Sequence, residues 1–380
     1  MPGPDPDLKT LVEELNRGLP SPRAELLPSG SGLDPVLALA AEQGASDLLL
    51  VVGAPIASRI NGRLILNPGP ALEDEEVHGL LLPLLSSRQQ QELQRNKTVD
   101  FCFAREGIGR FRANLHFQRG TLAGSLRLLP ARIPTLESLH LPPVLRRWVE
   151  SRQGLVLVTG ATGSGKSSTL AALIDIVNSE RRDHIVTIED PVEYLHANRS
   201  AIVEQIEVGQ DTPDFASSLR SIVRQNPDVI LVGEMRDPET IATVLTAAET
   251  GHLVLSTLHT NDASQAVSRI LDSFPQGNQP QIRQQLSLAL LAIVAQQLVP
   301  TRDGRGRYPA VELLVASHAV RNMIRKGDDH QIYTAISTGR AEGMFTMEQS
   351  LADLVRTGII TRETAMAHCF RPDELPRYLK

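Results

Sequence analysis

The sequence has few cysteines and few aromatic residues. Its 380 residues include only Cys102 and Cys369 as cysteines, and aromatic side chains make up 3%. Two distant cysteines cannot supply a four-ligand zinc knuckle or a disulfide framework, so we expect a reducing compartment. The low aromatic content also leaves few side chains on which bases could stack, which disfavours a nucleic-acid translocase.

An excess of positive charge is lacking too. The formal net charge is −6 and the sequence pI is about 6.0, while 41% of residues are hydrophobic and 22% are charged. These proportions are typical of a globular protein. Non-specific binding to nucleic acid usually needs a concentrated cationic surface, so we expect no nucleic-acid partner.

Long hydrophobic runs are also missing. The longest uninterrupted apolar stretch, Leu288 to Ala295, is far below the ~18 residues of a membrane-spanning helix. The N-terminus has no charged-then-apolar signal pattern. We therefore expect a cytoplasmic protein with no membrane span, which reaches the inner membrane only through a partner or a surface helix.

The stretch Thr159 to Ser168, TGATGSGKSS, contains the phosphate-loop pattern G-x-x-x-x-G-K-[ST]. Lys166 can reach the β- and γ-phosphates of a nucleotide, and Ser167 can ligate Mg²⁺. A strand-like run, Leu155 to Val158, precedes the loop, and a helical pattern, Ser168 to Val177, follows it. A glycine turn between core elements is the alternative, but it explains neither Lys166 nor Ser167. The predicted ATP-binding residues are Gly160, Ala161, Thr162, Gly163, Ser164, Gly165, Lys166, Ser167 and Ser168.

Proline spacing and apolar periodicity predict five segments. Six prolines in the first of them favour a flexible extension, with a leucine-rich helical pattern suited to docking or to capping its own domain. In the fourth, strands alternate with helices, as in a parallel α/β sheet. The segments are a Pro-rich extension (1–33), a small α+β domain with a hairpin turn at Asn61-Gly62 (34–133), a linker (134–150), an α/β core (151–315) and a helical C-terminal region (316–380).

Carboxylates follow two of the predicted strands in the α/β core, where ligands of parallel sheets gather. They are Glu189, Asp190, Glu193 and Glu234. ATP hydrolysis needs acids that hold the metal and activate water. Gly233 occupies the place of the usual metal-binding Asp, so Glu234 is the candidate for water activation. Glu189, Asp190 or Glu193 would support the metal, with Asp190 and Ser167 as ligands; a solvated loop acid is the alternative for any one of them.

Histidines and arginines near these strands are further candidates. His252 precedes the strand that ends at Thr257, and His259 follows it; they would sense nucleotide, or serve only as structural hydrogen-bonding groups. An always-charged guanidinium can stabilise phosphoryl transfer. The candidates are Arg220 and Arg224, predicted on one helix face, and Arg112 and Arg127 of the N-terminal domain. Domain closure would bring the last two to the nucleotide; surface salt bridges are the alternative.

Several motifs make the chain similar to the secretion and pilus motor ATPases, and within them to the type IV pilus retraction ATPases, the PilT family. The similar stretches are GASDL (44–48), RFRANLHFQRG (110–120), the phosphate loop, TIEDPVEY (187–194), NPDVILVGEMRDPET (226–240), TGHLVLSTLHTNDA (250–263) and GMFTMEQSLADL (343–354). Extension motors carry a four-cysteine metal site that this chain lacks. The chain departs from the retraction family at Leu49, at Lys326 and in the extension.

The resemblance implies an α/β fold with a RecA-like ATPase domain, a smaller PAS-like α+β domain and a helical C-terminal region. It implies ATP and Mg²⁺ as cofactors and a homohexamer that acts on a membrane-embedded pilus platform protein together with other pilus motor ATPases. It also implies an acidic box (Glu189, Asp190, Glu193), a catalytic Glu234 and a histidine box (His252, His259). Arg112, Arg127, Arg220 and Arg224 look similar to the family's arginines.

The leading interpretation is thus a hexameric ATPase that retracts type IV pili. An accessory retraction ATPase, or a nucleotide-responsive subunit with little turnover, stays open as an alternative, and a type II secretion or extension motor is disfavoured. The helix AVRNMIRK (319–326) resembles the family's C-terminal signature. Its Arg321 and Arg325 lie four residues apart, which suggests a contact that couples hydrolysis to motion, or else a plain surface helix.

Overall fold

The computed structural model describes residues 32–60 and 62–379. The predicted docking helix within residues 1–31 and Asn61 of the predicted hairpin turn lie outside them. The chain divides into two compact units, Met1–Leu129 and Pro130–Lys380. No helix in the described ranges is both long enough and apolar enough to cross a membrane.

The described part of the N-terminal unit contains one antiparallel sheet of six strands, in the order β3-β2-β1-β6-β5-β4. Buried side chains of its helices, such as Leu37, Leu81 and Leu93, share one core with strand residues such as Phe111 and Leu115. The strands are β1 (Asp47–Val51), β2 (Ala57–Ile60), β3 (Arg63–Leu66), β4 (Thr98–Arg105), β5 (Gly109–Gln118) and β6 (Thr121–Leu129). The helices are α1 (Leu33–Glu42), α2 (Asp74–Leu81) and α3 (Ser87–Asn96).

The described C-terminal unit is built on a seven-stranded sheet. Its order is β13-β12-β7-β11-β10-β8-β9, and only the β12–β13 pair is antiparallel. The strands are β7 (Gly154–Thr159), β8 (His184–Glu189), β9 (Ile202–Glu207), β10 (Val229–Val232), β11 (Leu253–Leu258), β12 (Leu290–Pro300) and β13 (Arg307–Val315). Every residue of β7, β10 and β11 is buried, which explains why their sequences are mainly apolar; the polar exceptions, Thr159, Ser256 and Thr257, lie toward the carboxyl ends.

Helices cover both faces of this sheet, and a group of helices follows its last strand. They are α4 (Arg146–Val149), α5 (Lys166–Glu180), α6 (Phe215–Ile222), α7 (Pro238–Glu249), α8 (Ala263–Asp272), α9 (Gln279–Ala289), α10 (His318–Lys326), α11 (Ile332–Thr338), α12 (Met347–Arg356), α13 (Arg362–His368) and α14 (Leu375–Tyr378). The predicted α/β class with an α+β unit and a helical C-terminal region is confirmed.

Aspartates start three helices that follow the carboxyl ends of strands. Asp214, Asp237 and Asp262 accept the backbone N–H three residues ahead, at 2.7, 2.8 and 2.8 Å. Each carboxylate satisfies an N–H that has no partner within its helix and complements the positive end of the helix dipole. These caps fix where α6, α7 and α8 begin, and with them the loops on the strand-end edge.

Candidate active site

The phosphate loop lies between β7 and α5, at the carboxyl edge of the sheet. Gly160 has φ +146°, and a Cβ atom there would lie 2.2 Å from the carbonyl oxygen of Gln296, so only glycine fits. Lys166 Nζ donates to the carbonyl oxygens of Gly160, at 2.8 Å, and Ala161, at 3.0 Å. The ammonium is therefore held inside the loop that its own backbone forms.

Gln296 on β12 supports this loop, and sequence reasoning did not identify it. Its Nε2 donates to the carbonyl of Ser164 at 2.8 Å, and its Oε1 accepts from Thr169 Oγ1 at 2.8 Å. The side chain thereby joins the loop to the first turn of α5. It is one of two adjacent glutamines in the strand LLAIVAQQLVP, and nothing in that pattern distinguishes it from its neighbour.

The donor groups around the loop fit a bound phosphate chain. The hydroxyls of Thr159 and Ser164 are buried without a hydrogen-bond partner. Burial lowers the pKa of the Lys166 ammonium, while the negative charges of Glu234 and Glu193 oppose that shift. Unpartnered hydroxyls beside a cation are the groups that an anionic ligand would satisfy.

Ser167 and Ser168 differ in their surroundings although both follow Lys166. The Ser167 side chain is exposed at the loop, whereas Ser168 Oγ shares a hydrogen bond of 2.7 Å with the hydroxyl of Tyr194. Ser167 and the exposed Asp190 offer the hard oxygen ligands that Mg²⁺ takes alongside phosphates, so the residues present fit that ion. Tyr194 is a further site residue that the sequence argument left without a role.

Glu234 follows β10 and contacts two basic side chains. Its side chain is 13% exposed; Oε1 pairs with the guanidinium of Arg236, and Oε2 lies 3.4 Å from His259 Nε2. The hydroxyl of Thr257 donates to the carbonyl of Gly233 at 2.6 Å, which ties the ends of β10 and β11 together. Glu234, His259 and Lys166 are thus gathered at one edge of the sheet, as the sequence predicted.

Gly233, which stands where a metal-binding aspartate is usual, lies close to the neighbouring strand. A Cβ atom at this position would lie 3.1 Å from the carbonyl oxygen of Ile188 and 3.4 Å from Glu189 Cα, on the neighbouring strand. The backbones of β10 and β8 approach closely here. A side chain at Gly233 would press on the segment that carries Glu189.

The acids after β8 take different positions. Glu189 Oε1 accepts from Thr187 Oγ1 at 2.8 Å and from Gln205 Nε2 at 3.2 Å. Burial raises the pKa of the Glu189 carboxyl, and these two hydrogen bonds oppose the rise. The negative charge of Glu193 acts on Lys166 and on Glu189. The negative charge of Asp190 acts on Arg236. The acids whose charges act on Lys166 are therefore Glu234 and Glu193 and not Glu189.

His252 does not join this group, and its predicted catalytic role needs correction. It precedes β11 at the amino end of the strand, where its carbonyl accepts from the N–H of Gly154 at 3.0 Å. Its Nδ1 lies 2.9 Å from the carbonyl of Ala247, close to the end of α7. Because β7 and β11 are parallel, the phosphate loop follows the opposite ends of these strands. The geometry gives His252 a structural role.

The predicted pair of arginines before β10 also needs correction. Arg220 pairs with Glu239 on α7. α6 ends at Ile222, so Arg224 lies beyond the helix and does not share its face with Arg220. The earlier helix end follows from the backbone bond between Arg224 N and the carbonyl of Ser221, a tighter turn than the α-helical one.

Arg112 and Arg127 lie opposite each other on β5 and β6 of the N-terminal unit. Arg127 Nε donates to Asp47 Oδ1 at 2.8 Å, and its side chain is 62% exposed. Arg112 is half-buried. The register brings these two predicted residues together within their own unit, and their action on a nucleotide stays a prediction.

The sequence was compared with known families and proteins. A family model described as "Type II/IV secretion system protein" matches residues 141–367. The "Type IV pilus ATPase PilU" of Pseudomonas aeruginosa is 41% identical over 345 residues, which cover 91% of this chain and 90% of the relative. The "Type IV pilus retractation ATPase PilT" of the same organism is 43% identical over 330 residues, covering 87% of this chain and 96% of the relative.

A solved structure is similar over almost the whole chain. The "Crystal Structure of the Pilus Retraction Motor PilT and Bound ADP" has a TM-score of 0.85 and 46% sequence identity, and covers 91% of this chain and 99% of its own. That relative was solved with bound ADP.

Proposed function

This chain belongs to the Type II/IV secretion system protein family and is an ATPase of that family, as the resemblance predicted, and on that premise we propose that it drives the retraction of type IV pili. The supporting observation is that Glu234, His259 and Lys166 converge at the phosphate loop of a chain similar to the PilT motor over nearly its full length. A site with the residues needed for ATP hydrolysis, in a chain similar to a pilus motor over nearly its full length, supports a motor function.

In the proposed mechanism, Lys166 and the loop N–H groups hold the phosphates of ATP. Glu234 orients the attacking water and accepts its proton, while His259 and Arg236 fix the carboxylate. Ser167 and Asp190 would hold Mg²⁺, which supplies positive charge to the β- and γ-phosphates. Thr257 keeps the Gly233–Glu234 turn in place, so that little reorganisation is needed during the reaction.

The assembly that we propose is a homohexamer on the cytoplasmic face of the membrane, acting on a membrane-embedded platform protein. Arg112, Arg127, Arg220 and Arg224 are then candidates for stabilising charge on the transferred phosphoryl group. Arg220 and Arg127 would first have to leave Glu239 and Asp47. Their exposure makes such exchange inexpensive.

An accessory motor is the second candidate, because the name of one relative of comparable identity gives a type IV pilus ATPase without a retraction role. The two functions differ in what deletion does. Loss of the main retraction motor should leave excess pili and abolish twitching, and complementation with the native chain, but not with Glu234→Gln, should reverse both effects. Normal retraction in deleted cells, together with little ATP turnover by the purified protein, would support the accessory function. A loss of pili on deletion would contradict both and indicate an extension motor.

A further inference from the structure

A buried carboxylate joins the starts of two helices in the C-terminal unit. Glu312 on β13 is 1% exposed. Its Oε1 accepts the backbone N–H of Ala263 at 2.9 Å, and its Oε2 accepts that of Met347 at 3.4 Å. Ala263 and Met347 are the first residues of α8 and α12. Their N–H groups have no partner within their own helices, so one side chain satisfies both.

The position of Glu312 in the sheet connects it with the phosphate loop. Glu312 pairs with Ala295, Ala295 pairs with Thr159, and Thr159 pairs with Leu258. These four residues form one row across β13, β12, β7 and β11. The phosphate loop follows Thr159, and His259 follows Leu258, so the carboxylate lies on the row where both site segments begin.

The Glu312 carboxylate is connected to Glu234 through the start of α8 and His259. Asp262, the N-cap of α8, lies three residues after His259, whose Nε2 is 3.4 Å from Glu234. Any shift in the start of α8 therefore moves the segment that carries His259. The Met347 end is anchored by a different set of contacts, because Thr346 caps α12 and Phe345 bridges to Leu313 of β13.

Charged groups from the surrounding elements face Glu312. Asp262 and Glu348 bring negative charge toward it. Arg371 Nη2 lies 3.8 Å from Asp262 Oδ2, and the backbone N–H of Arg371 donates to Glu348 Oε1 at 3.1 Å. The Arg371 guanidinium also lies 3.7 Å over the Tyr333 ring. These contacts therefore connect α8, α11, α12 and the segment that follows α13.

We propose that Glu312 is a positioning residue that couples the C-terminal helices to the active site, by tying the first turn of α12 to the first turn of α8 beside His259. This inference rests on the proposed role of Glu234 and His259 in ATP hydrolysis. A carboxylate has two acceptor oxygens, which is what two convergent N–H groups need. Their charge-assisted hydrogen bonds offset part of the cost of burying it.

A double-mutant cycle tests the coupling without requiring turnover. Thr346→Ala removes the cap of α12, and Glu312→Gln replaces one acceptor oxygen by an NH₂ donor. We expect Thr346→Ala to speed amide hydrogen exchange in residues 258–265 by about threefold or more in the native background, and to have no such effect in Glu312→Gln. Equal effects in both backgrounds would overturn the proposal.

Matched variants separate coupling from simple loss of stability. Val311 neighbours Glu312, but it belongs to the core on the other face of the sheet. Val311→Ala should lower Tm without altering the response of residues 258–265 to Thr346→Ala. If Glu312→Gln does not fold, Glu312→Asp provides the second test, since its shorter side chain cannot span both N–H groups. Full native coupling in Glu312→Asp would also contradict the proposal.

Steady-state kinetics give an independent readout. Glu312→Gln should lower kcat by about threefold or more with KM for ATP changed by less than about twofold, because the phosphate loop is untouched. Val311→Ala should change neither at a temperature where both variants are folded. Absence of turnover in the native protein would refute the proposed ATPase role of the site and leave the exchange experiment to judge the coupling.

Discussion

At the scale of single residues, the orientation of Glu234 depends on the two basic side chains beside it. Arg236 and His259 contact the two carboxylate oxygens, which restrains the group beside the loop that carries Lys166. Both partners are exposed, with 67% of the Arg236 side chain and 52% of the His259 side chain accessible, whereas Glu234 is 13% exposed.

Glu234→Gln should bind ATP and lose turnover by about 10²-fold or more, because the amide cannot accept the proton of the attacking water. Lys166→Ala should lose nucleotide binding instead, since the phosphates lose their buried cation. Fluorescent-nucleotide titration and phosphate release measure the two effects. Glu249→Gln, at an exposed position at the end of α7, is the control, and near-native kcat in Glu234→Gln would refute the assignment.

Glu312 should make stability depend on pH. Burial raises the pKa of its carboxyl from 4.5 to about 7. The folded state then keeps a proton that the unfolded state releases, so stability is lost as pH rises from about 4.5 to about 7 and levels off above it. The loss is on the order of 3 kcal/mol for such a shift.

Glu312→Gln cannot titrate, so its Tm minus the native Tm should increase from pH 5 to pH 7.5 and stay constant above that. Calorimetry across this range measures the difference. Val311→Ala provides the control, because its offset from native should not change with pH. A constant offset for Glu312→Gln would show that the carboxyl titrates at its ordinary pKa.

At the scale of elements, β12 supports the phosphate loop from the side. Gln296 bonds both the loop and the start of α5. Gln296→Ala should leave the carbonyl of Ser164 without its side-chain donor, which costs about 1–3 kcal/mol, while the Thr169 hydroxyl keeps its bond to the carbonyl of Gly165 at 3.1 Å. We expect a lower Tm and a higher KM for ATP.

The neighbouring Gln297 provides the matched control for that prediction. Its Nε2 donates to the carbonyl of His368, away from the loop. Gln297→Ala should lower Tm without raising KM. Equal KM values in the two variants would mean that Gln296 contributes to the fold alone.

Helix α10 carries Arg321 and Arg325, the two arginines that the sequence assigned to coupling. Their surroundings in the structure differ. Val320 and Ile324 are buried and anchor one face of the helix in the core. Arg321, however, donates to the carbonyls of Ala316 at 2.8 Å and of Ser287 and Leu288 at 2.6 Å each, near the end of α9. Burial lowers the pKa of its guanidinium. Arg321 thus joins α10 to α9, whereas Arg325 is exposed.

Arg321→Ala should therefore destabilise the protein by about 1–3 kcal/mol, because three backbone carbonyls, two of them in part-buried hydrogen bonds, lose their guanidinium donor. Arg325→Ala should leave Tm and ATPase activity unchanged. Thermal unfolding and phosphate release test both expectations. If Arg325 still mediates coupling, retraction alone will fail in cells carrying Arg325→Ala; normal twitching in those cells would leave α10 with a structural role only.

At the scale of the whole molecule, the proposal requires a ring. Mass measurement with ATP present should give six copies, and Arg112→Ala or Arg127→Ala should reduce turnover while the fold stays intact. Arg95→Ala, at an exposed position on α3, is a surface control in the same unit. A strictly monomeric protein with full ATPase activity would exclude the ring mechanism.

The sequence by itself determined the phosphate loop, the alternation of strands and helices, and the placement of Glu234 and His259 after neighbouring strands. These features are local, because each depends on residue types at fixed spacing within one element and its loop. The family also followed from such stretches. The end of α6 and the bounds of several strands were less well determined, since capping and pairing partners lie outside the pattern that predicts them.

Tertiary structure alone decided which distant residues meet. Gln296 reaches Ser164 and Glu312 reaches both Ala263 and Met347 because β12 and β13 pair beside β7, an order that differs from the order of the strands in the chain. The same sheet puts His252 at the far edge. Contacts such as these, between residues 35 to 132 positions apart, depend on strand order and register, and no local spacing in the sequence encodes them.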